Sequence, residues 1–153
     1  ELIQHDLDVS PLFPRYEVPH YGKARFDCDP VLSALLFEAS CNALAHESLA
    51  SHGYADACVH QGLVASGDRF VCGAGESRML HDTMAGAGHA VLAVEMEGAA
   101  IAQVCLDYGV PFAVMRTISD RADDSAHVDF PDFVEAVASR YAQAVIENFL
   151  LSL

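Results

Sequence analysis

The sequence has few basic side chains and no long apolar run, and each absence excludes a class of protein. Lysine and arginine total 8 against 22 aspartates and glutamates, and the formal net charge is −14. Because eight basic side chains are too few to neutralise a nucleic acid or an anionic membrane surface, we expect the main partner to be neither a nucleic acid nor such a membrane. No apolar run reaches the roughly 18–20 residues that a membrane-spanning helix needs, so we expect no membrane partner of that kind either.

Paired cysteine motifs are also missing. The five cysteines form no CxxC pair, and their odd number does not suit the disulfide framework of a small secreted protein. We therefore expect a reducing, cytoplasmic location, with the cysteines acting as small apolar side chains. They are Cys28, Cys41, Cys58, Cys72 and Cys105.

The composition that remains is typical of one folded domain. The chain has 153 residues, of which 52% are hydrophobic and 20% are charged, and its charges are interspersed. This content is too apolar for a disordered chain, and the length suits a single domain spanning 1–153.

Strand-like and helix-like patterns alternate along the chain. We predict the tail of a strand at 2–9 and further strands at 57–65, 90–94 and 112–115, the last two buried on both faces. We predict helices at 29–51, 76–84, 97–108 and 131–150. Three prolines within 11–19 indicate an extended arm with exposed apolar side chains. The alternation predicts an α/β fold with helices on both faces of a sheet.

An aromatic side chain and three carboxylates follow three of the predicted strands. Phe70 follows the strand at 57–65, Glu95 and Glu97 follow the strand at 90–94, and Asp120 follows the strand at 112–115. Ligands of such sheets bind at the carboxyl ends of strands, so this convergence favours a site. Each residue also has a simpler explanation, because Glu97 suits a helix start, Asp120 suits a turn, and Phe70 suits a packed loop.

Two other motifs fail on spacing. Gly73 and Gly75 precede a helix as in a dinucleotide loop, but Arg78 occupies the third glycine position. His46 and His52 are too far apart to share the helix face of a metalloprotease. We therefore expect no metal and no cofactor.

Three segments resemble the nucleoside phosphorylase/hydrolase superfamily, and most closely the 5′-methylthioadenosine/S-adenosylhomocysteine nucleosidase family. The segments are VASGDRFV at 64–71, AVEMEGAAIA at 93–102 and RTISDRAD at 116–123. The resemblance runs from about Asp8 to the last helix. It implies a three-layer sandwich with a mixed central sheet, and hydrolysis of the N-glycosidic bond of adenine nucleosides without a cofactor.

The resemblance assigns five residues to the adenine base. Asp120 matches the general acid that protonates N7 of the purine, and Ser119 matches its orienting neighbour. The remaining three bind the ring, by stacking, by backbone hydrogen bonds and by closing over it. They are Phe70, Val71 and Phe130, respectively.

Four more residues match positions around the sugar. Glu97 corresponds to the carboxylate that binds the ribose hydroxyls, and Met96 lies beside it. Glu95 and Arg116 match polar positions that support these groups.

The proline-rich arm matches the segment that reaches the partner's substrate in the family's homodimer. Either Leu12 or Phe13 takes that place, because this sequence reads Leu-Phe-Pro where relatives have phenylalanine and glycine. We therefore expect a homodimer.

Two parts of the family pattern are not found in these 153 residues. They are the strand with the glutamate that activates water, and a glycine-containing loop near the ribose. Because the chain opens on Glu1 in what reads as a later strand, we expect it to be the C-terminal part of a nucleoside phosphorylase/hydrolase domain. A preceding segment or a second polypeptide would then supply the rest.

Three alternatives to the nucleosidase remain at this point. A phosphorylase of the same fold would use phosphate in place of water. A nucleoside-binding module would keep Phe70 and Glu97 without turnover. In an α/β interaction domain, the substitution Asp120→Asn would leave every activity and ligand affinity unchanged.

These residues alone are expected not to release adenine from 5′-methylthioadenosine, because the group that activates water is not among them. The measurement is adenine release by the purified 153-residue chain, with an active nucleosidase as the positive control. Robust release by the chain would contradict the expectation.

Overall fold

The structure, a computed structural model, describes residues 1–46, 57–120, 122, 133 and 138–153. The chain divides into two compact units. The sheet unit comprises Glu1–Cys28, Gly62–Phe112 and Ala122–Asp124, and the helical unit comprises Asp29–Gln61, Ala113–Arg121 and Ser125–Leu153. A single domain over 1–153 stays a prediction.

The helices and strands are, in order, β1 (Leu2–Gln4), β2 (Arg25–Phe26), α1 (Pro30–His46), β3 (Leu63–Ser66), α2 (Ala74–Gly86), β4 (Val91–Glu95), α3 (Gly98–Tyr108) and α4 (Ser139–Ser152). Helices and strands alternate from β2 to α3, as in an α/β chain. None of the helices described is long and apolar enough to cross a membrane.

The sheet unit has three layers. Its strands lie in the order β2-β1-β3-β4, with β2 antiparallel to β1 and the other neighbours parallel. Ile3 packs with Met84 of α2, whereas a Cβ on Gly98 of α3 would contact Leu2. Successive strand residues point to opposite faces, so α2 and α3 cover opposite faces of the sheet. The predicted mixed sheet between helices is confirmed.

Strand β4 contains a bulge at Leu92. Leu63 pairs with Val91, but Val64 pairs with Ala93, so Leu92 has no partner on β3 and its side chain is 59% exposed. The prediction that this run is buried on both faces is therefore wrong. A continuous apolar run also arises when an alternating strand contains one extra residue.

The helical unit is built on α1 and α4. Asp29 begins α1 by accepting hydrogen bonds on Oδ1 from the backbone N–H of Val31 and Leu32, both at 2.9 Å. The predicted cap is confirmed. The buried residues of the two helices form one cluster: Leu36, Ala39, Ala43, Tyr141 and Val145. The predicted extensions, 47–51 of the first helix and 131–132 and 134–137 of the last, lie outside the described residues.

Two strand predictions are wrong in whole or in part. Residues 57–62 precede β3 without regular structure and are mostly exposed. Residues 111–119 form no strand, since no described segment pairs with them. Their apolar character favours a strand only where a neighbour supplies hydrogen bonds. The predicted helix at 76–84 is longer at both ends, and the first strand ends at Gln4.

The proline-rich segment is not an extended arm. It folds into successive turns, in which the backbone N–H of Leu12 donates to Val9 and that of Glu17 donates to Pro14. Tyr16 and Val18 are buried, while Leu12 is 83% exposed as predicted. Proline fixes φ at values that also suit turns, so its presence excludes a helix without requiring an extended chain.

Replacing Tyr141 by phenylalanine should lower the free energy of unfolding by about 1 kcal/mol, because the buried hydroxyl loses a hydrogen bond. That hydroxyl donates to the Ser40 carbonyl at 2.9 Å. Tyr108→Phe is the matched control, since Tyr108 is 80% exposed. Urea unfolding of the two variants measures the difference, and equal midpoints would contradict this account of the helical core.

Candidate functional site

Three parallel strands end at one edge of the sheet unit. Gln4, Ser66 and Glu95 are the last residues of β1, β3 and β4, and they are paired across the sheet. Parallel strands bring their carboxyl ends together, so the segments that follow must meet at this edge. The predicted residues Phe70, Val71, Glu95, Met96 and Glu97 all lie in these segments or at their start.

Two side chains hold the beginning of α3 at this edge. The Glu95 carboxylate accepts hydrogen bonds from the backbone N–H of Glu97 at 3.1 Å and of Gly98 at 2.9 Å. The Ser66 hydroxyl accepts one from Ala99 at 3.0 Å. These N–H groups belong to the helix start, where no intrahelical acceptor exists, and a carboxylate there also interacts favourably with the helix dipole. Residues from two strands thus place the backbone of Glu97.

The close approach of Glu95 requires glycine at position 98. A Cβ on Gly98 would lie 2.7 Å from Oε1 of Glu95 and 2.8 Å from Cδ2 of Leu2. Both distances are shorter than van der Waals contact, so only glycine fits between the carboxylate and the sheet.

The loop that carries Phe70 is held by three contacts. Its first residue, Gly67, donates its N–H to the Glu95 carbonyl at 3.0 Å. Asp68 donates its N–H to Oδ2 of Asp6 at 2.7 Å, and Arg69 forms a 2.8 Å ion pair with Glu76 of α2. Phe70 is 44% exposed at the end of this series, whereas Val71 is buried. An aromatic ring that is exposed on a braced loop can stack on a flat ligand.

His5 lies in the turn after β1 and faces the same loop. A Cβ on Gly67 would overlap with the His5 ring at Nε2. That Nε2 atom is buried and has no hydrogen-bond partner in the described part of the chain. Burial lowers the pKa of His5, and the nearby Asp6 carboxylate only partly offsets that effect. The imidazole is therefore neutral at pH 7.

The second group of predicted site residues belongs to the helical unit. Ser119 donates its hydroxyl hydrogen to Oδ2 of Asp120 at 2.7 Å, and both residues are half-buried. This bond restricts the orientation of the carboxyl group, as expected of an acid that must meet one atom of a ligand. Arg116 is exposed in the same segment.

The remaining predicted residues are placed as follows. Met96 is 40% exposed between Glu95 and the exposed Glu97. Leu12 is exposed in its turn, and Phe13 packs edge-on against His20 with ring centroids 6.2 Å apart. Phe130 lies outside the described residues. Across the part of the chain that the structure describes, no group of three or more histidine, cysteine or acidic residues could hold a metal ion. The roles assigned to these residues stay predictions.

Sequence patterns did not single out Ser66, Asp6 or His5 as part of this edge. Each acts through a partner that is distant in sequence, and Ser66 and Ala99 are 33 residues apart. Asp6 does sit after β1 as Asp68 sits after β3, so a strand assignment at Leu2–Gln4 would have indicated it.

Comparison with known proteins identifies relatives over nearly the whole chain. The family model described as "Phosphorylase superfamily" matches residues 1–151. A 5′-methylthioadenosine/S-adenosylhomocysteine nucleosidase of an Exiguobacterium species is 36% identical over 149 residues, which are 95% of this chain and 56% of the relative. The nucleosidase of Shewanella halifaxensis is 34% identical over 146 residues, or 95% of this chain and 57% of the relative.

Solved structures give the same picture. The Neisseria meningitidis nucleosidase in complex with methylthio-immucillin-A superposes with a TM-score of 0.76 and 33% identity, covering 99% of this chain and 59% of that one. Futalosine hydrolase of Helicobacter pylori superposes with a TM-score of 0.76 and 31% identity, covering 99% of this chain and 57% of that one. The chain therefore spans less than three fifths of the length of these relatives.

Replacing Gly67 by alanine should lower the free energy of unfolding by about 1–3 kcal/mol, because the new methyl group overlaps with the His5 ring. Gly75→Ala is the control, since nothing lies within 4 Å of a Cβ there. Denaturant unfolding measures both variants. The double variant His5→Ala, Gly67→Ala should recover part of the loss, and a Gly67→Ala protein as stable as the Gly75→Ala protein would contradict the described packing.

Proposed function

This chain belongs to the phosphorylase superfamily, and we propose that its protein hydrolyses the N-glycosidic bond of adenine nucleosides, with 5′-methylthioadenosine and S-adenosylhomocysteine as substrates. The observation that carries the proposal is the match to nucleosidases at 34–36% identity over 95% of the chain. The polar and aromatic residues described above suit such a substrate.

The sugar is assigned to the start of α3. Glu97 is exposed, and its backbone is held by Glu95 through the bond to its own N–H. A carboxylate accepts hydrogen bonds only, so it suits two vicinal ribose hydroxyls that both donate. Met96 next to it offers a polarizable, partly exposed side chain to the sugar face.

The base is assigned to Phe70, Val71 and Asp120. The exposed ring of Phe70 supplies a stacking surface, and the backbone of Val71 supplies a donor and an acceptor for the edge of the purine. Asp120 donates a proton to N7 as the bond between N9 and C1′ breaks, and the bonding electrons go to the base. Water then adds to C1′ and loses a proton, which yields adenine and a free sugar.

The way α3 begins disfavours a phosphate at this edge of the sheet. A free helix N-terminus binds phosphate readily. Here the N–H groups of Glu97, Gly98 and Ala99 are already bonded to Glu95 and Ser66. A phosphate at this edge would also meet the carboxylates of Glu95 and Glu97. A water molecule is neutral, so the carboxylates do not repel it, and it needs no free helix N-terminus.

The assembly we propose is a homodimer in the cytoplasm. Leu12 is 83% exposed in a turn of the sheet unit, as a side chain that contacts a partner subunit would be. All five cysteines are unpaired, which suits a reducing compartment. The group that activates water is assigned to a part of the protein that these 153 residues do not include.

Asp120→Asn in the full-length protein that contains this sequence should lower kcat for adenine release by about 10²–10⁴-fold with little change in KM, because an amide cannot supply the proton. Asp82→Asn is the control, since that side chain is 80% exposed on α2. Release of the free purine base is measured from 5′-methylthioadenosine, S-adenosylhomocysteine and futalosine, with and without phosphate.

Each result of this assay decides between functions. Turnover without phosphate supports the hydrolase, whereas turnover that requires phosphate supports the phosphorylase. Binding without turnover supports a nucleoside-binding module. Full activity of Asp120→Asn would contradict the role assigned to that residue.

A further inference from the structure

We infer that Ser66 is a positioning residue that sets the distance between the sugar and base subsites, acting through Glu97. The inference rests on the proposed function, because it assumes that Glu97 binds ribose and Phe70 binds the base. It concerns a residue whose hydroxyl touches no substrate atom and whose effect is carried by the start of α3.

The contact that supports this inference links two different segments of the site. Ser66 is the last residue of β3, it is 2% exposed, and its hydroxyl accepts the N–H of Ala99 at 3.0 Å. Ala99 lies two residues after Glu97, within the first turn of α3. Phe70 lies four residues after Ser66, on the loop that leaves β3. The bond therefore joins the strand that leads to the base subsite with the helix that presents the sugar subsite.

Glu95 holds the start of α3 from β4. Its carboxylate bonds to Glu97 and Gly98, which follow it directly in the chain, so these bonds fix α3 relative to β4 only. The backbone bond from Gly67 to the Glu95 carbonyl aligns the two strands but does not reach the helix. Ser66 supplies a side-chain hydrogen bond that runs from β3 to the helix itself.

Burial makes this bond sensitive to substitution. Ala99 is 5% exposed, so removing the hydroxyl leaves a buried N–H without this partner. An unpaired buried N–H is costly, and the helix start can move to relieve it. Such a movement displaces Glu97 relative to Phe70. It lowers the affinity for a ligand that spans both subsites. The affinity for a ligand that occupies one subsite stays nearly unchanged.

The test compares a nucleoside with its base. Affinities for 5′-methylthioadenosine and for adenine are measured by calorimetry in the full-length protein, in an Asp120→Asn background so that the nucleoside stays intact. Ser66→Ala should weaken nucleoside binding about tenfold, the equivalent of one buried hydrogen bond, and adenine binding by less than about twofold. Glu97→Gln should weaken nucleoside binding in the same selective way.

Two controls separate positioning from loss of stability. Ser40→Ala removes another buried hydroxyl, 3% exposed and bonded to the Leu36 carbonyl at 2.7 Å, and it should leave both affinities unchanged. Thermal unfolding of every variant confirms that the protein is folded at the assay temperature. In the double variant Ser66→Ala, Glu97→Gln the loss of nucleoside affinity should be smaller than the product of the single losses, because both act on one contact.

The outcomes distinguish this inference from the proposed function. If Glu97→Gln is selective for the nucleoside and Ser66→Ala is not, only the positioning role of Ser66 is overturned. If Ser66→Ala weakens adenine and nucleoside equally, or acts multiplicatively with Glu97→Gln, Ser66 has a general structural role and the inference is overturned. If the nucleoside does not bind, the proposed function fails and the inference falls with it. If Glu97→Gln has no effect, the sugar-binding role of Glu97 is wrong and the inference is overturned.

Discussion

The parallel pairing of β3 with β4 is the constraint on which the sheet-unit site depends. It places Ser66 level with Glu95, so that two side chains from neighbouring strands reach the same helix start. The same pairing aligns Gly67 with the Glu95 carbonyl and so begins the loop that carries Phe70. Without this alignment, the residues proposed to bind the sugar and the base would belong to segments with no fixed spacing.

Local signals in the sequence predicted the parts of the fold that depend on local interactions. Asp29 before Pro30 predicted the start of α1, since an aspartate caps the N–H groups two and three residues later. Gly109 predicted the end of α3, and it has the left-handed backbone, φ 63°, that such a cap needs. In each case the side chain or backbone that decides the structure lies within a few residues.

Interactions between distant residues could not be predicted in this way. The run from Pro111 to Met115 has the composition of a buried strand, but a strand also needs a neighbour to bond with, and composition does not supply one. Likewise, nothing around Ser66 indicates that its hydroxyl bonds to Ala99. For the site, the resemblance of three segments indicated which residues to consider. The structure added the contacts that hold those in the sheet unit.

Charge at the sheet edge is consistent with a nucleoside and unfavourable for a nucleotide. Asp6, Glu95 and Glu97 all present carboxylates near the ends of the parallel strands, and two of them are already bonded to backbone N–H groups. A ligand that carries its own phosphate would be repelled there, whereas neutral hydroxyl groups can donate to the carboxylates. In the proposed function, these carboxylates would disfavour a ligand that carries negative charge.

The bulge at Leu92 determines which face of the sheet receives the Glu95 carboxylate. Side chains alternate along a strand, and Val91 packs on the face covered by α2. If β4 were paired regularly from Val91, with no bulge, the side chain of residue 95 would point to that same apolar face, towards Met84. The unpaired Leu92 reverses the parity, so Val94 takes the apolar face and Glu95 turns towards α3. The pairing of β4 is therefore constrained more tightly than its composition. Leu92 can be exchanged for another side chain, but the same five residues paired without the bulge would direct a carboxylate into the hydrophobic layer.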